Sequence, residues 1–174
     1  MSKDKPTVYL DTNILSVLHY RGGIVTSLAW QIVTRDWWAH ERGFFKIFAS
    51  KIVEDELAAG CYSEQYDALN EVRKLPYLSY VKDVHSGARA YLDAQLVPQA
   101  KQGDALQLAF ATVHKMDYLL TWNHAHLANV ETQRKLHLMN QKWGWRTPLI
   151  VSPDTIPKVV LGQSIRRKDK NEFA

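Results

Sequence analysis

An α/β layer fold with a central, mainly parallel sheet is what this sequence predicts, and three observations predict it. Short β-branched and aromatic runs alternate with segments of helical period along the chain, and parallel strands need such helical crossovers. The 174 residues, 46% of them hydrophobic, suffice for one substantial core and leave little room for a second. No internal repeat, low-complexity segment or linker divides the chain. One domain over residues 1–160 is therefore expected, followed by a basic tail over 161–174.

The elements follow in order. Thr7-Val8-Tyr9-Leu10 reads as a strand that stops at Asp11-Thr12-Asn13, where side chains suited to helix N-capping begin. From Ile24, the apolar residues Val25, Leu28, Ile32 and then Ala29, Val33, Trp37 recur at helical spacing up to Gly43, predicting a long amphipathic helix. Phe44 through Ala49 reads as a mostly buried strand, and Ser50 opens a helix carrying Val53, Glu56 and Leu57 to Gly60. Residues 62–96 predict two helices separated by an extended piece over Leu78-Ser79-Tyr80-Val81, with Pro76 breaking the first. After the loop Val97-Pro98-Gln99-Ala100, Asp104 opens an alanine-rich helix through Lys115, and Tyr118-Leu119-Leu120-Thr121 is the next strand. A helix from Thr132 to Trp143 ends at Gly144, and Leu149-Ile150-Val151 is a last strand before Pro153.

Composition excludes several classes. No window reaches the roughly 18 apolar residues of a membrane span, and the polar start at Met1-Ser2-Lys3-Asp4-Lys5-Pro6 lacks the apolar stretch of a secretory signal, so a cytoplasmic protein with no membrane partner is expected. Cys61 is the single cysteine, which rules out an intrachain disulfide and a cysteine-rich zinc cluster; a buried small side chain is its expected role. The formal charge of +4 permits a nucleic-acid substrate without demanding one. The run Arg166-Arg167-Lys168 with Lys170 reads as a solvated tail.

Asp11 directly after the first strand, Glu56 in the helix after the second, Asp104 opening the alanine-rich helix and Asn123 after a later strand form a constellation. Residues at the carboxyl ends of parallel strands and the starts of adjoining helices can converge on one sheet edge. Carboxylates brought within ~4 Å repel by ~1 kcal/mol in water and ~4 kcal/mol at an effective dielectric of 20, so such a cluster calls for protonation or a divalent cation. Hard oxygen donors select magnesium or manganese, an arrangement suited to phosphodiester hydrolysis by metal-activated water. Taken singly, Asp11 is equally a helix cap and Glu56 a solvated helix-face acid, and the residues alone leave that alternative open.

The stretches Leu10-Asp11-Thr12-Asn13, residues 50–60 (SKIVEDELAAG), residues 103–111 (GDALQLAFA) and Leu119-Leu120-Thr121-Trp122-Asn123 resemble, in order and spacing, the motifs of PIN-domain nucleases. The resemblance runs from Val8 to about Pro153. It implies a three-layer PIN-like domain and a ribonuclease, commonly the toxin of a bacterial toxin–antitoxin pair. By it Asp11, Glu56 and Asp104 are metal-binding acids for magnesium or manganese, and Asn123 assists them. Thr12, Asn13, Thr121, His124 and His126 border the substrate. RNA, a cognate antitoxin and a second copy of the chain are the implied partners. Asn123 departs from the aspartate many members carry, and resembles a subgroup with asparagine in a Trp-Asn context; an amide adds no negative charge, so a second ion would be held more weakly.

Three other readings are disfavoured. An aspartate-nucleophile phosphohydrolase resembles its relatives in a second aspartate two positions on, where this chain has Asn13. His124 and His126, two apart, do not share a helix face, and no third nitrogen or sulfur ligand joins them. Trp37-Trp38 and Trp143-Gly144-Trp145 read as packing anchors rather than base-stacking groups. A catalytically weak or inactive nucleic-acid-binding module remains the rival, and it predicts RNA association indifferent to magnesium.

Overall fold

The computed structural model describes residues 5–160 and 163–164. Strands β1 (Thr7–Leu10), β2 (Lys46–Ser50), β3 (Tyr77–Leu78), β4 (Tyr118–Leu120) and β5 (Leu149–Val151) form one sheet in the order β3-β2-β1-β4-β5, with every adjacent pair parallel. The crossovers are helical: α1 (Thr12–His19), α2 (Val25–His40), α3 (Lys51–Ala59), α4 (Gln65–Val72), α5 (Lys82–Asp93), α6 (Gln102–Val113) and α7 (Val130–Lys142). Helices α1 to α4 pack among themselves, as α5 packs on α6. Right-handed crossovers put the two groups on opposite faces, because the chain reverses its direction across the sheet between β3 and β4. The expected three layers are observed.

The central strand is the driest. Val8, Tyr9 and Leu10 of β1 are all at 0% exposure, as a strand flanked by two others and covered on both faces must be. Tyr9 stacks on Phe110 of α6 with ring centroids 5.6 Å apart, and its buried hydroxyl is satisfied by Ser50 Oγ at 2.7 Å.

Several boundaries differ from expectation for identifiable reasons. Phe44 belongs to a 3-10 turn over Arg42–Phe44, so β2 begins two residues later, at Lys46. The extended piece expected at 78–81 lies at Tyr77–Leu78, because Val81 is already the N-cap of α5. Helix α6 starts at Gln102 and Asp104 lies in its first turn. Helix α7 starts early because the Asn129 side chain accepts the Thr132 backbone N–H at 2.8 Å, a true N-cap. Gly144 ends α7 at φ +70°, as its position suggested.

Two expectations about burial are overturned. The α2 stripe Val25, Leu28, Ile32 points to solvent, as does the flanking Ile24, whereas the buried face is Gln31, Thr34 and Trp37. The polar members of that face carry their own partners: the Gln31 amide donates to Tyr20 O, and Thr34 Oγ1 donates to Trp30 O at 2.7 Å. Cys61 is exposed, on the loop after α3, and not the buried side chain expected.

The boundary expected at 160 falls within a short antiparallel pair of β6 (Val159–Val160) and β7 (Gln163–Ser164). The rest of the basic tail, 165–174, lies outside the described residues. Among the described residues, no helix is long and apolar enough to cross a membrane.

Helices α5, α6 and α7 are tied by one buried amide. Asn140 accepts from Tyr91 Oη at 2.6 Å and donates to Thr112 Oγ1 and Thr147 Oγ1, both at 3.3 Å. Asn140→Ala strands the Tyr91 hydroxyl in the interior and is expected to lower unfolding free energy by about 1–3 kcal/mol. Urea denaturation followed by circular dichroism measures it.

Candidate functional site

Parallel strands bring separated segments to one edge. Beyond β1 the ladder continues from Asp11 N to Leu120 O at 3.0 Å, and beyond β4 from Thr121 N to Val151 O at 2.9 Å. Asp11 and the stretch Thr121–Asn123 thus lie side by side at the carboxyl end of the sheet, where open α/β sheets bind ligands. Asp11 is the N-cap residue of α1, yet its side chain makes no capping bond. Its Oδ2 instead accepts from Thr121 Oγ1 at 2.5 Å and from Asn13 Nδ2 at 2.6 Å. A simple capping role is therefore not what holds this aspartate. The same amide of Asn13 reaches Thr121 Oγ1 at 3.0 Å, and Asn13 Oδ1 accepts the Trp122 backbone N–H at 2.9 Å. Thr121 is fully buried, so it acts through Asp11 and not by touching a ligand.

Asp104 approaches from the first turn of α6. Its Oδ1 accepts from Asn123 Nδ2 at 3.1 Å, while its Oδ2 is buried without a hydrogen-bond partner. The other end of the Asn123 amide accepts the His126 backbone N–H at 3.1 Å. Since that N–H can bond only to oxygen, the NH₂ end must face Asp104. Asn123 is thus a donor to the neighbouring carboxylate, and an aspartate there would set two anions in contact.

Glu56 is held from the side. Thr12 Oγ1 donates to its Oε2, and Gln107 Nε2 reaches the same oxygen at 3.3 Å. Glu56 Oε1 lies where a Cβ on Gly103 would stand 2.6 Å away, so the glycine before Asp104 makes room for the glutamate. A cavity of about 430 Å³ opens at this edge, lined by Asp11, Thr12, Asn13, Asp104 and Asn123, and on its other side by Ser16, Val17, Trp30 and Trp122. Glu56 stands behind Thr12, outside that lining. Among the described residues, no three His, Cys, Asp or Glu side chains gather closely enough to enclose one ion.

Electrostatics identify Asp11 as the centre of the group. Burial pushes its carboxyl up to about 7; the Thr121 hydroxyl pulls it down, and the nearby charges of Glu56 and Asp104 push it up again. Burial also raises Asp104 above the usual carboxylate range, countered by the Asn123 amide and by His126 and Lys101. Asp11 is buried and Asp104 half-buried, one Asp104 oxygen has no partner, and the side chains that hydrogen-bond the two acids are neutral. Hard carboxylate oxygens fit magnesium or manganese, which commonly take one or two protein carboxylates and fill the remaining positions with waters and substrate phosphate. The donor set does not fit zinc, which needs nitrogen or sulfur ligands in a closed tetrahedron.

The two histidines separate. His126 acts on Asp104 through its charge, whereas His124 is exposed, sits against the Trp30 and Trp122 rings at 6.2 and 6.0 Å, and lines a neighbouring cavity of about 750 Å³ between α7 and β5. Gln107 and Trp30 were not foreseen. Gln107, three positions after Asp104, is a polar residue inside an apolar helical run, and that was a readable sign. Trp30 had no such sign.

Comparison of the sequence with protein-family models and with curated proteins finds no match. Among solved structures, the chain is similar to a chain of a toxin–antitoxin complex from Klebsiella pneumoniae. The TM-score is 0.52 at 17% identity, covering 84% of this chain and 98% of that one. The likeness is one of fold.

The raised Asp11 carboxyl has a stability consequence. With an unfolded value near 3.8 and a folded value of about 7, the folded metal-free protein holds a proton that the unfolded chain has released between those limits. Stability therefore falls as pH rises from about 4 to about 7, and the loss is complete above that window. Asp11→Asn keeps an acceptor for Thr121 but removes the charge. Urea titrations in chelator are expected to show the variant more stable than the parent at pH 8, with the difference shrinking toward pH 5. Parallel curves for the two proteins across this range would contradict the assignment.

Proposed function

We propose that this chain is a metal-dependent endoribonuclease of the PIN type, acting in the cytoplasm as the toxin of a toxin–antitoxin pair. The observation that carries the reading is the meeting of Asp11 and Asp104, one with a raised carboxyl and the other with an unpartnered oxygen, in one cavity at the carboxyl edge of the sheet. Asp11 and Asp104 would hold magnesium or manganese, with Glu56 reaching it through Thr12 or a bound water. Such an ion, when bound, acidifies water and offsets charge building on the scissile phosphate.

The chain's own side chains do the positioning. Thr121 and Asn13 fix one Asp11 oxygen, which keeps the carboxylate from rotating away as charge develops. Asn123 orients Asp104 by donating to one oxygen and leaving the other free. Thr12 and Asn13 line the cavity where an RNA strand would run, and the positive charge of Lys101 near Asp104 favours a phosphate.

The toxin role is supported by the fold shared with a chain of a toxin–antitoxin complex. A protein partner, whether an antitoxin or a second copy, would gain by covering the exposed stripe of Ile24, Val25, Leu28 and Ile32. One observation favours the rival reading of a weakly active or inactive RNA-binding protein: the Asn123 oxygen is already engaged by His126 N and contributes neither charge nor a free donor atom.

Purified protein incubated with an RNA pool is expected to cleave with manganese or magnesium and to stop in chelator. Asp104→Asn should lose about a hundredfold or more of the rate, the size of a lost metal contribution of several kcal/mol, while its circular dichroism is unchanged. Calorimetric titration with manganese should show binding to the parent and not to the variant. Equal degradation by both proteins would overturn the reading. RNA binding without cleavage, unaffected by metal, would support the rival.

A further inference from the structure

The cavity that holds the carboxylates has a second wall that phosphodiester chemistry does not use. Besides Asp11 and Asp104 its lining includes Val17, Trp30 and Trp122, an aromatic and aliphatic surface within about 430 Å³. Trp30 and Trp122 stack with ring centroids 5.2 Å apart and planes 11° from parallel. Trp122 is the inner leaf, 5% exposed, and Trp30 is the outer one, half-buried. His124 leans on both rings.

This stack is locked in place. The Trp122 indole N–H donates to Thr34 Oγ1 at 2.8 Å, and that hydroxyl donates to the backbone oxygen of Trp30 at 2.7 Å. A single buried threonine on α2 therefore fixes the Trp122 ring against the helix that carries Trp30. The stack is also linked to the acids, because the Trp122 backbone N–H binds Asn13, whose amide binds Asp11. A core tryptophan needs none of this. The buried face of α2 is completed by Gln31, Thr34 and Trp37, and Trp30 lies beside that face at the cavity.

We propose that Trp30, backed by Trp122, is a base-stacking platform beside the carboxylates, which seats an unstacked base next to the phosphate held by the acids. The inference rests on the ribonuclease reading for the chemistry of that phosphate. Every base offers a flat face, whereas a base within a duplex is already stacked and paired and cannot lie on the ring. A rigid aromatic surface gives that preference at little ordering cost, and Val17 at its margin bounds the slot.

The test uses the whole protein and three nuclease-resistant 2′-O-methyl probes: a short single strand, the same strand in a duplex, and a strand of equal length lacking bases throughout. Phosphate charge per strand is equal in the first and third, so their difference isolates the base. The intact single strand is expected to quench tryptophan fluorescence and to bind about tenfold tighter than the baseless strand, with the duplex giving no quench. Trp30→Ala should bring intact and baseless strands to equal affinity; Trp30→Phe should keep most of the preference with a smaller quench. Thermal melting confirms that both variants are folded.

Equal binding of intact and baseless strands by the parent, a preference surviving in Trp30→Ala, or no binding of any probe would overturn the platform. The enzymatic reading is tested apart, with the unmodified strand and manganese. A parent that shows the Trp30-dependent base preference but cuts nothing retains the platform and loses the nuclease. A parent that cuts, with Trp30→Ala matching it on every probe, retains the nuclease and loses the platform.

Discussion

A carboxylate kept out of water at the end of the central strand is the constraint to which the rest of the site answers. Asp11 is 6% exposed and follows three residues that are wholly buried, so the chain has no freedom to turn its side chain toward solvent. An isolated charge in such a place costs several kcal/mol, and a group so placed either takes up a proton or finds compensation. Two neutral donors, Thr121 and Asn13, supply part of it. They do not supply charge, and the neighbouring Glu56 and Asp104 make the deficit larger. A fold that surrounds one buried acid with two more, and hands it only neutral donors, holds that acid as a proton acceptor near neutral pH and, on the proposed reading, as a ligand for a cation.

The topology explains why these acids meet at one edge. In the order β3-β2-β1-β4-β5, β1 sits between the strand leading to Glu56 and the strand leading to Asn123. All strands run the same way, so the first residues after each emerge together. Asp104 arrives differently, from the first turn of α6, which lies on the opposite face and reaches over the sheet end. Gly103 permits this, since any side chain there would displace the Glu56 oxygen. The helix also brings Gln107 one turn later against Glu56, which keeps the glutamate aimed at Thr12.

Much of this was legible in the sequence, and the part that was not has a physical cause. The β1, β4 and β5 runs are short and apolar, β1 and β5 with β-branched members, each has a polar stop, and no competing pattern obscures them. The motif acids Asp11 and Asp104 could be placed because strand ends and helix starts are marked by residue type. Helix α2 could not be oriented by periodicity: two apolar stripes run along it, and the one through Val25, Leu28 and Ile32 lies outside. Hydrogen bonding decided the matter, since Gln31 and Thr34 find partners in Tyr20 and Trp30, and a satisfied polar side chain can be buried in place of an apolar one. Phe44 and Phe45 look like strand, yet a tight turn after α2 claims Phe44, because backbone bonds from Phe44 N to Glu41 O and from Phe45 N to Arg42 O close it first. Trp30 was invisible for a related reason: its role depends on Trp122, far along the chain, being fastened to Thr34.

Asn123 brings these strands of the argument to one atom. An aspartate at this position would offer a cation another charge, but it would also face the Asp104 carboxylate with no donor between them. The amide resolves that conflict locally: its NH₂ steadies Asp104, and its oxygen closes the turn at His126. The same turn carries Trp122 and His124, so the residue that orders one acid also sets the loop from which the aromatic wall rises. The neutral side chain at this position is thereby coupled to the placement of the Trp30 and Trp122 stack. On the proposed ribonuclease reading, such a site would depend less on a second ion and more on how well a substrate strand is seated before its phosphate meets Asp11 and Asp104.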